Sequence, residues 1–135
     1  MVGEGCDVTF AVGFNFSIND VIFNFADANP DSNFVLIHRW NQGQASLKPI
    51  AYSMNQSSFL AGYLAAAYST TKVVVTYGGL DIPAVTDFMV GFYNGAKYYE
   101  VESGTPITVV GYDPAAGTGD FVGDFANTGV AKTIS

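Results

Sequence analysis

Hydrophobic and polar residues repeat with two periods along this chain, and these periods predict alternating strands and helices. Residues 7–12 alternate weakly and predict a short buried strand. Ser17 then precedes apolar residues at 18, 21, 22 and 25, the spacing of one helical stripe, so we expect Ser17 to cap a helix. Residues 33–37 predict a second strand.

The second half of the chain continues the same alternation. Residues 59–69 predict a helix capped by Ser57 or Ser58, apolar nearly all round and therefore enclosed by protein on several sides. Three consecutive valines within residues 72–77 predict a strand buried on both faces. Pro83 suits the first turn of a long helix. The remaining predicted elements are strands at 50–54 and 106–111, a glycine-rich loop at 113–124 and a helix beginning at 127.

Strands that alternate with helices predict an α/β fold, with parallel sheets and flanking helices. The chain begins almost directly on a strand and ends inside a predicted helix. We therefore expect it to be an internal segment of a longer protein.

Composition narrows the classes of function. Of 135 residues, 49% are hydrophobic and 13% charged, a balance typical of a well-buried globular fold. The net charge is −7 and the five basic residues are scattered singly, so a nucleic-acid polymer is not an expected partner. The chain contains no recognisable signal peptide or lipobox and no apolar run of about 18 residues that could span a membrane.

Motifs for catalysis and for metal or cofactor binding are missing from the sequence. His38 is the only histidine, and we interpret it as a hydrogen-bonded structural residue at a strand end. No Gly-x-Ser-x-Gly elbow, phosphate loop or calcium loop is present. We interpret Asp113, Asp120 and Asp124 as solvated loop acids. The sequence thus predicts no enzyme activity, no cofactor and no metal.

Candidate binding residues follow the predicted strands. In open parallel sheets, ligands bind beyond the carboxyl ends of the strands. The residues that directly follow each predicted strand, here called the strand exit, include an aromatic residue, an acidic residue, an amide residue or a glycine. Aromatic rings stack on flat heterocycles, and carboxylates and amides form hydrogen bonds with sugar hydroxyls. These residue types therefore favour a polar, planar ligand.

Three segments resemble the basic membrane lipoprotein family of solute-binding proteins. The first is Val12-Gly13-Phe14, with Pro30-Asp31 and the segment 34–37 downstream. The second is the run Ser-Phe-Leu-Ala-Gly-Tyr-Leu-Ala-Ala at 58–66. The third is Gly-Gly-Leu-Asp-Ile-Pro at 78–83, followed by Phe88, Gly91-Phe92 and the run 95–99. The order and spacing of the segments match the family over nearly the whole chain.

This resemblance implies a two-lobed, type I periplasmic-binding-protein fold with the ligand held between the lobes. Residues 1–56 would form the later part of lobe one, 57–71 the crossover helix and 72–135 the first part of lobe two. The family implies a purine nucleoside as ligand and an ABC permease as partner. It also implies that the intact parent is an extracytoplasmic, membrane-anchored lipoprotein.

Seven ligand-binding residues are carried over from the family. They are Phe14, Asn15 and Phe16 in lobe one and Asp81, Phe88, Phe121 and Phe125 in lobe two, with one of the last two stacking on the base. For Phe88 the alternative is a core residue, because it lies on the apolar stripe of its helix. The sequence departs from the family at His38, where an aspartate is frequent, and at Gln56, where a glutamate is common.

Two alternatives belong to other classes of protein. The first is a truncated, free-standing structural or interaction domain that binds no small ligand. Such a chain would expose sheet edges and apolar helix faces, so we expect it to form a homo-oligomer. The second is a small α/β enzyme, which the missing acid–base pairs disfavour.

Overall fold

Three parallel strands form the sheet of the first of two compact units, Met1–Tyr52. The computed structural model describes residues 2–40 and 42–134, leaving out the side chains of residues 2, 14 and 17. The strands are β1 (Thr9–Val12), β2 (Phe34–Ile37) and β3 (Leu47–Ile50), in the order β1-β2-β3. All pairings are parallel, so the predicted α/β class with parallel sheets is confirmed.

Helix α1 (Val21–Ala28) covers one face of this sheet. The core between them consists of Ala11, Ile22, Phe23, Ala26, Phe34, Leu36 and Leu47. A 3-10 segment, Phe14–Asp20, precedes the helix.

The predicted start of α1 was wrong. The helix does not begin after Ser17, because Asn19 and Asp20 adopt left-handed backbone angles with φ of 53° and 57°. Asparagine and aspartate tolerate this conformation, which interrupts a right-handed helix. The predicted apolar stripe is therefore out of phase, and Phe23 is 2% exposed whereas Phe25 is 46% exposed.

The third strand was also misplaced by the sequence pattern, which predicted residues 50–54. The observed strand β3 contains Lys48 and Pro49 and pairs with β2 from Phe34↔Leu47 to Ile37↔Ile50. A proline is acceptable here because β3 lies at the edge of its sheet.

The second compact unit, Ser53–Ser135, contains helices and short strands in alternation. Its helices are α2 (Met54–Tyr68), α3 (Pro83–Ser103) and α4 (Thr128–Ile134). Strands β4 (Val73–Val75) and β5 (Thr108–Val110) pair in parallel, and β6 (Tyr112–Asp113) and β7 (Thr118–Gly119) form a hairpin. Along the sequence, the division between the two units comes after residue 52, four residues before the predicted boundary at residue 56. The assignment of the chain to lobes stays a prediction.

Helices α2 and α3 run parallel in close contact, because glycines replace side chains where they meet. A Cβ atom on Gly95 would lie 2.7 Å from the carbonyl carbon of Phe59 and 2.9 Å from the backbone nitrogen of Tyr63. On the other helix, a Cβ on Gly62 would lie 2.7 Å from the carbonyl carbon of Phe92. Only backbone atoms form these walls, so no flexible side chain can move aside.

Strand β4 is buried on one face only, contrary to the prediction from its three valines. Val74 is 8% exposed and packs with Ala66, Ala96 and Ile107. Val73 and Val75 are 48% and 41% exposed. The described part of the chain covers one side of this strand and leaves the other side open.

Hydrogen bonds among Lys97, Glu100 and Ile107 connect the C-terminal part of α3 to the residue that precedes β5. The Lys97 Nζ donates to the carboxylate of Glu100 at 2.9 Å and to the carbonyl oxygen of Ile107 at 2.6 Å. The backbone N–H of Ile107 donates to the same Glu100 carboxylate at 2.6 Å. This N–H and, secondarily, the Lys97 ammonium hold the pKa of Glu100 below its ordinary value of 4.5.

We expect the Glu100→Gln variant to be less stable than the unchanged protein at neutral pH. A lowered carboxyl pKa stabilises the folded state above the unfolded-state pKa, and that contribution is lost as the pH falls through the folded-state pKa. The difference in unfolding free energy between the unchanged protein and Glu100→Gln should therefore be largest at neutral pH and should decrease as the pH falls below 4.5.

Urea denaturation at pH 7 and at pH 3 to 4 measures this difference. The control is Asp87→Asn, which changes an exposed carboxylate of α3 that has no hydrogen-bond partner among the described residues. A difference of equal size at both pH values would contradict the assigned role of the Glu100 carboxylate.

Candidate functional site

A pair of glycines follows β4 and brings a distant loop to the carboxyl end of that strand. The backbone N–H of Gly78 donates to the carbonyl oxygen of Asp120 at 3.0 Å. In return, Val122 N–H donates to the Gly78 carbonyl and Gly123 N–H to the Gly79 carbonyl, both at 2.9 Å. These bonds extend the parallel pairing of the second unit past the end of β4.

Two of the predicted aromatic residues lie against these glycines. A Cβ atom on Gly78 would lie 2.7 Å from Cε1 of Phe121, which is half-buried. A Cβ on Gly79 would overlap the ring of Phe125, which is 56% exposed. The absence of side chains at 78 and 79 thus makes room for both rings at the strand exit.

A pocket of about 200 Å³ opens beside the glycines. Its lining includes two aromatic residues, Phe125 and Tyr77, and two polar residues, Asp124 and Asn127. Its lining residues are Tyr77, Gly78, Gly79, Val122, Asp124, Phe125, Ala126, Asn127, Thr128 and Ala131.

The sequence reasoning missed Tyr77, Asp124 and Asn127 as lining residues. Tyr77 is the last residue of the predicted valine strand, and this position could have suggested it. Asp124 Oδ1 accepts the backbone N–H groups of Ala126 and Asn127, the latter at 2.8 Å. Asn127 Oδ1 accepts the Val130 N–H at 3.1 Å and caps α4. These bonds fix the orientation of both polar side chains at the pocket.

Three of the four predicted residues of the second unit, Asp81, Phe88 and Phe121, are not among the lining residues of this pocket. Asp81 Oδ2 accepts a hydrogen bond from the Thr118 hydroxyl at 3.3 Å, which ties the strand exit to the β6–β7 hairpin. Phe88 is 40% exposed on α3, so it is not a core residue, whereas its neighbour Met89 is 1% exposed.

The predicted residues of the first unit lie after β1. Phe16 is 46% exposed and lines an apolar groove of about 320 Å³ between β1 and α1. Asn15 is exposed. The side chain of Phe14 lies outside the described part of the chain. These residues and the second-unit residues belong to different compact units.

His38 directly follows β2 and has a φ of +83°. Its ring packs edge-to-face on Tyr52, 5.8 Å between centroids. The backbone N–H donates to the Ile50 carbonyl at 2.8 Å, but Nε2 is buried without a hydrogen-bond partner among the described residues. We expected a hydrogen-bonded structural histidine. The backbone N–H of His38 forms such a hydrogen bond, whereas Nε2 of its side chain forms none with the described residues.

The loop acids shape turns. Asp113 Oδ1 accepts the Ala115 N–H at 2.8 Å, and Asp113, Asp120 and Asp124 are all exposed. Within residues 2–40 and 42–134, no group of three acidic, histidine or cysteine side chains is arranged to hold a metal ion. No helix in that same part of the chain has the length and apolar character needed to cross a membrane.

A model of the family described as ABC transporter substrate-binding protein PnrA-like matches residues 3–117. The chain belongs to this PnrA-like family. The resemblance to basic membrane lipoproteins is thereby confirmed.

Two relatives of this PnrA-like chain illustrate the family. An ABC transporter nucleoside-binding protein, BmpA, of Lactococcus lactis subsp. cremoris is 28% identical over 98% of this chain and 34% of its own length. Basic membrane protein A of Borreliella burgdorferi is 32% identical over 70% of this chain and 28% of its own length. The chain thus spans about a third of the length of the curated relatives it matches.

A solved structure has the same fold. A solute-binding protein of an ABC transporter system from Aeropyrum pernix K1 superposes with a TM-score of 0.63 at 22% identity, covering 80% of this chain and 31% of the solved one. The PnrA-like chain therefore adopts part of the fold of an ABC solute-binding protein.

Proposed function

We propose that this PnrA-like chain is a segment of the solute-binding component of an ABC importer and that the ligand is a purine nucleoside. The protein is non-catalytic and passes its ligand to an ABC permease. The intact parent is an extracytoplasmic lipoprotein held at the membrane. The similarity to a relative named as a nucleoside-binding protein supports the ligand class.

The observation that carries the proposal is the pocket after β4. Its lining combines two aromatic residues, Phe125 and Tyr77, with a residue that has a carboxylate, Asp124, and one that has a carboxamide, Asn127. A purine can stack on a ring, and ribose hydroxyls can donate to a carboxylate. The pocket volume of about 200 Å³ is below the roughly 300–1,000 Å³ of complete ligand sites. Because the chain also spans only about a third of the length of its relatives, we infer that this pocket is one wall of a larger cleft.

We expect the 135-residue chain to bind adenosine, guanosine or inosine with a dissociation constant above about 1 µM, equivalent to −8 kcal/mol. Replacing the stacking ring in Phe125→Ala should weaken this binding by about 1–3 kcal/mol, as for bases stacked on aromatic side chains. Isothermal titration calorimetry and ligand-observed NMR measure both quantities, with uridine as a pyrimidine comparison.

Tyr68→Ala is the matched control, because it removes an 81% exposed ring from the end of α2. It should leave nucleoside affinity unchanged. The proposal fails if no purine nucleoside binds at millimolar concentration, or if Phe125→Ala and Tyr68→Ala bind equally well while both remain folded.

A second candidate function is supported by the exposed face of the first sheet. Phe10, Val12 and Ile50 are 58%, 64% and 42% exposed and alternate along their strands with the buried residues of the core. Parallel sheets are usually covered on both faces. We propose, as the alternative to nucleoside capture, an interaction domain that covers this face by forming a homo-oligomer.

For this alternative we expect a mass above that of the 14.3 kDa monomer in light scattering, falling on dilution. The double variant Phe10→Ser, Val12→Ser should shift the equilibrium toward monomer, because both side chains are exposed and contribute little to the core. The control is Val101→Ser, which changes an 80% exposed valine of α3. A monomeric mass at every concentration would rule out self-association.

A further inference from the structure

A second pocket lies where the first turn of α2 meets the middle of α3. Its volume is about 260 Å³, and its lining residues are Asn55, Gln56, Phe59, Gly91 and Asn94. It shares no lining residue with the pocket after β4.

Close helix packing forms the floor of this pocket. A Cβ atom on Gly91 would lie 2.5 Å from the Ser58 hydroxyl oxygen and 2.8 Å from the Cα of Asn55. Ser58 is itself buried and donates to the Met54 carbonyl at 2.9 Å. The two helices are therefore in contact here through backbone atoms and a hydroxyl that already has a hydrogen-bond acceptor.

Three carboxamides line the pocket without internal partners. The side chains of Asn55, Gln56 and Asn94 make no hydrogen bond to any described residue. Each carboxamide offers two donor hydrogens and an acceptor oxygen. Phe59, which is half-buried, adds an apolar ring held against Tyr98 at 5.6 Å between centroids.

Charge and size restrict what this pocket can hold. None of the described lining residues is charged, so the pocket offers no counter-charge to a phosphate, a carboxylate or an ammonium group. Its volume falls below the roughly 300–1,000 Å³ of pockets for drug-sized ligands, which favours a single ring. Sugar hydroxyls both donate and accept, as carboxamides do, and the C–H face of a sugar packs on an aromatic ring.

We propose that Asn55, Gln56, Phe59 and Asn94 form a binding site for one neutral sugar ring. The site is separate from the nucleoside pocket proposed above, and it does not depend on that proposal.

The probes are D-ribose and D-glucose, with adenine as the planar base that contains no hydroxyl group. Titration of the uniformly ¹⁵N-labelled full chain should shift the side-chain amide resonances of the three carboxamides in a saturable manner with a sugar. Asn94→Leu should weaken sugar binding about five- to tenfold, as expected for the loss of one hydrogen bond. Asn94 is exposed, so this variant should keep the fold.

Asn24→Leu is the matched control, an exposed amide of α1 outside this pocket. It and Phe125→Ala should leave sugar binding unchanged, whereas Phe125→Ala alone should impair nucleoside binding. The proposal is overturned if neither sugar shifts these amides at millimolar concentration, if adenine shifts them more strongly than both sugars, or if Asn94→Leu binds sugar as well as Asn24→Leu. None of these outcomes depends on whether nucleosides bind after β4.

Discussion

Replacing Gly95 by alanine should lower the free energy of unfolding by about 3 kcal/mol or more, at the upper end of the cost of overpacking. The added methyl would overlap the backbone of Phe59 and approach the Tyr63 nitrogen to 2.9 Å. Backbone of a helix cannot rotate away as a side chain does, so α2 and α3 would have to separate and loosen the core around Ala66 and Ala96.

Chemical denaturation followed by circular dichroism at one protein concentration measures this loss. Gly129→Ala is the control, since a Cβ there meets only the Asn127 side chain at 3.4 Å. That change should stabilise α4 by up to about 0.5–1 kcal/mol through helix propensity. If the two glycine variants have equal stability, α2 and α3 do not pack as described.

The Phe23→Ala variant should lose about 3–5 kcal/mol of stability, the usual cost of removing a buried aromatic ring. Phe23 is 2% exposed in the core of the first unit. The guanidinium carbon of Arg39 also lies 5.6 Å from its ring centroid. The cavity left behind would lie between α1 and the sheet, where the neighbouring side chains cannot close it fully.

Phe25→Ala is a control of the same chemistry in the same helix. Phe25 is 46% exposed and makes an edge-to-face contact with Phe34, so its loss should cost only about 1 kcal/mol. This pair of variants tests the helix phase directly. A larger effect at Phe25 than at Phe23 would support the apolar stripe predicted from sequence and contradict the observed core.

Local chemistry accounts for the elements that sequence reasoning located well. Pro83 begins α3 as expected, since its fixed φ suits a first helical turn. The three valines form β4, and the segment before Gly111 forms β5. The small residues of 61–67 correctly indicated close backbone packing, and Gly62 contacts the backbone of α3. The predicted enclosure of this helix on several sides was wrong for the described part of the chain, because Leu60 and Leu64 are 69% and 57% exposed. In each case the residues themselves carry the preference.

The candidate site was predicted in part. Phe125 does line the pocket after β4, and Phe121 lies against Gly78, both close to the expected strand exit. The roles of these rings toward a ligand stay predictions. Asp124 and Asn127 could not be assigned to the pocket from sequence, because their position depends on the pairing of Gly78 and Gly79 with a loop far along the chain.

The sequence by itself determined the α/β class, the parallel sheets and the family, because periodicity and short motifs depend on neighbouring residues. Only the tertiary structure decided which face of α1 is buried, where β3 runs and which side chains share a pocket. The left-handed pair at Asn19 and Asp20 resets the helix phase, and β3 exists through its register with β2. The register of β3 and the grouping of side chains in a pocket depend on contacts between residues distant in sequence, whose free energies the local pattern does not contain.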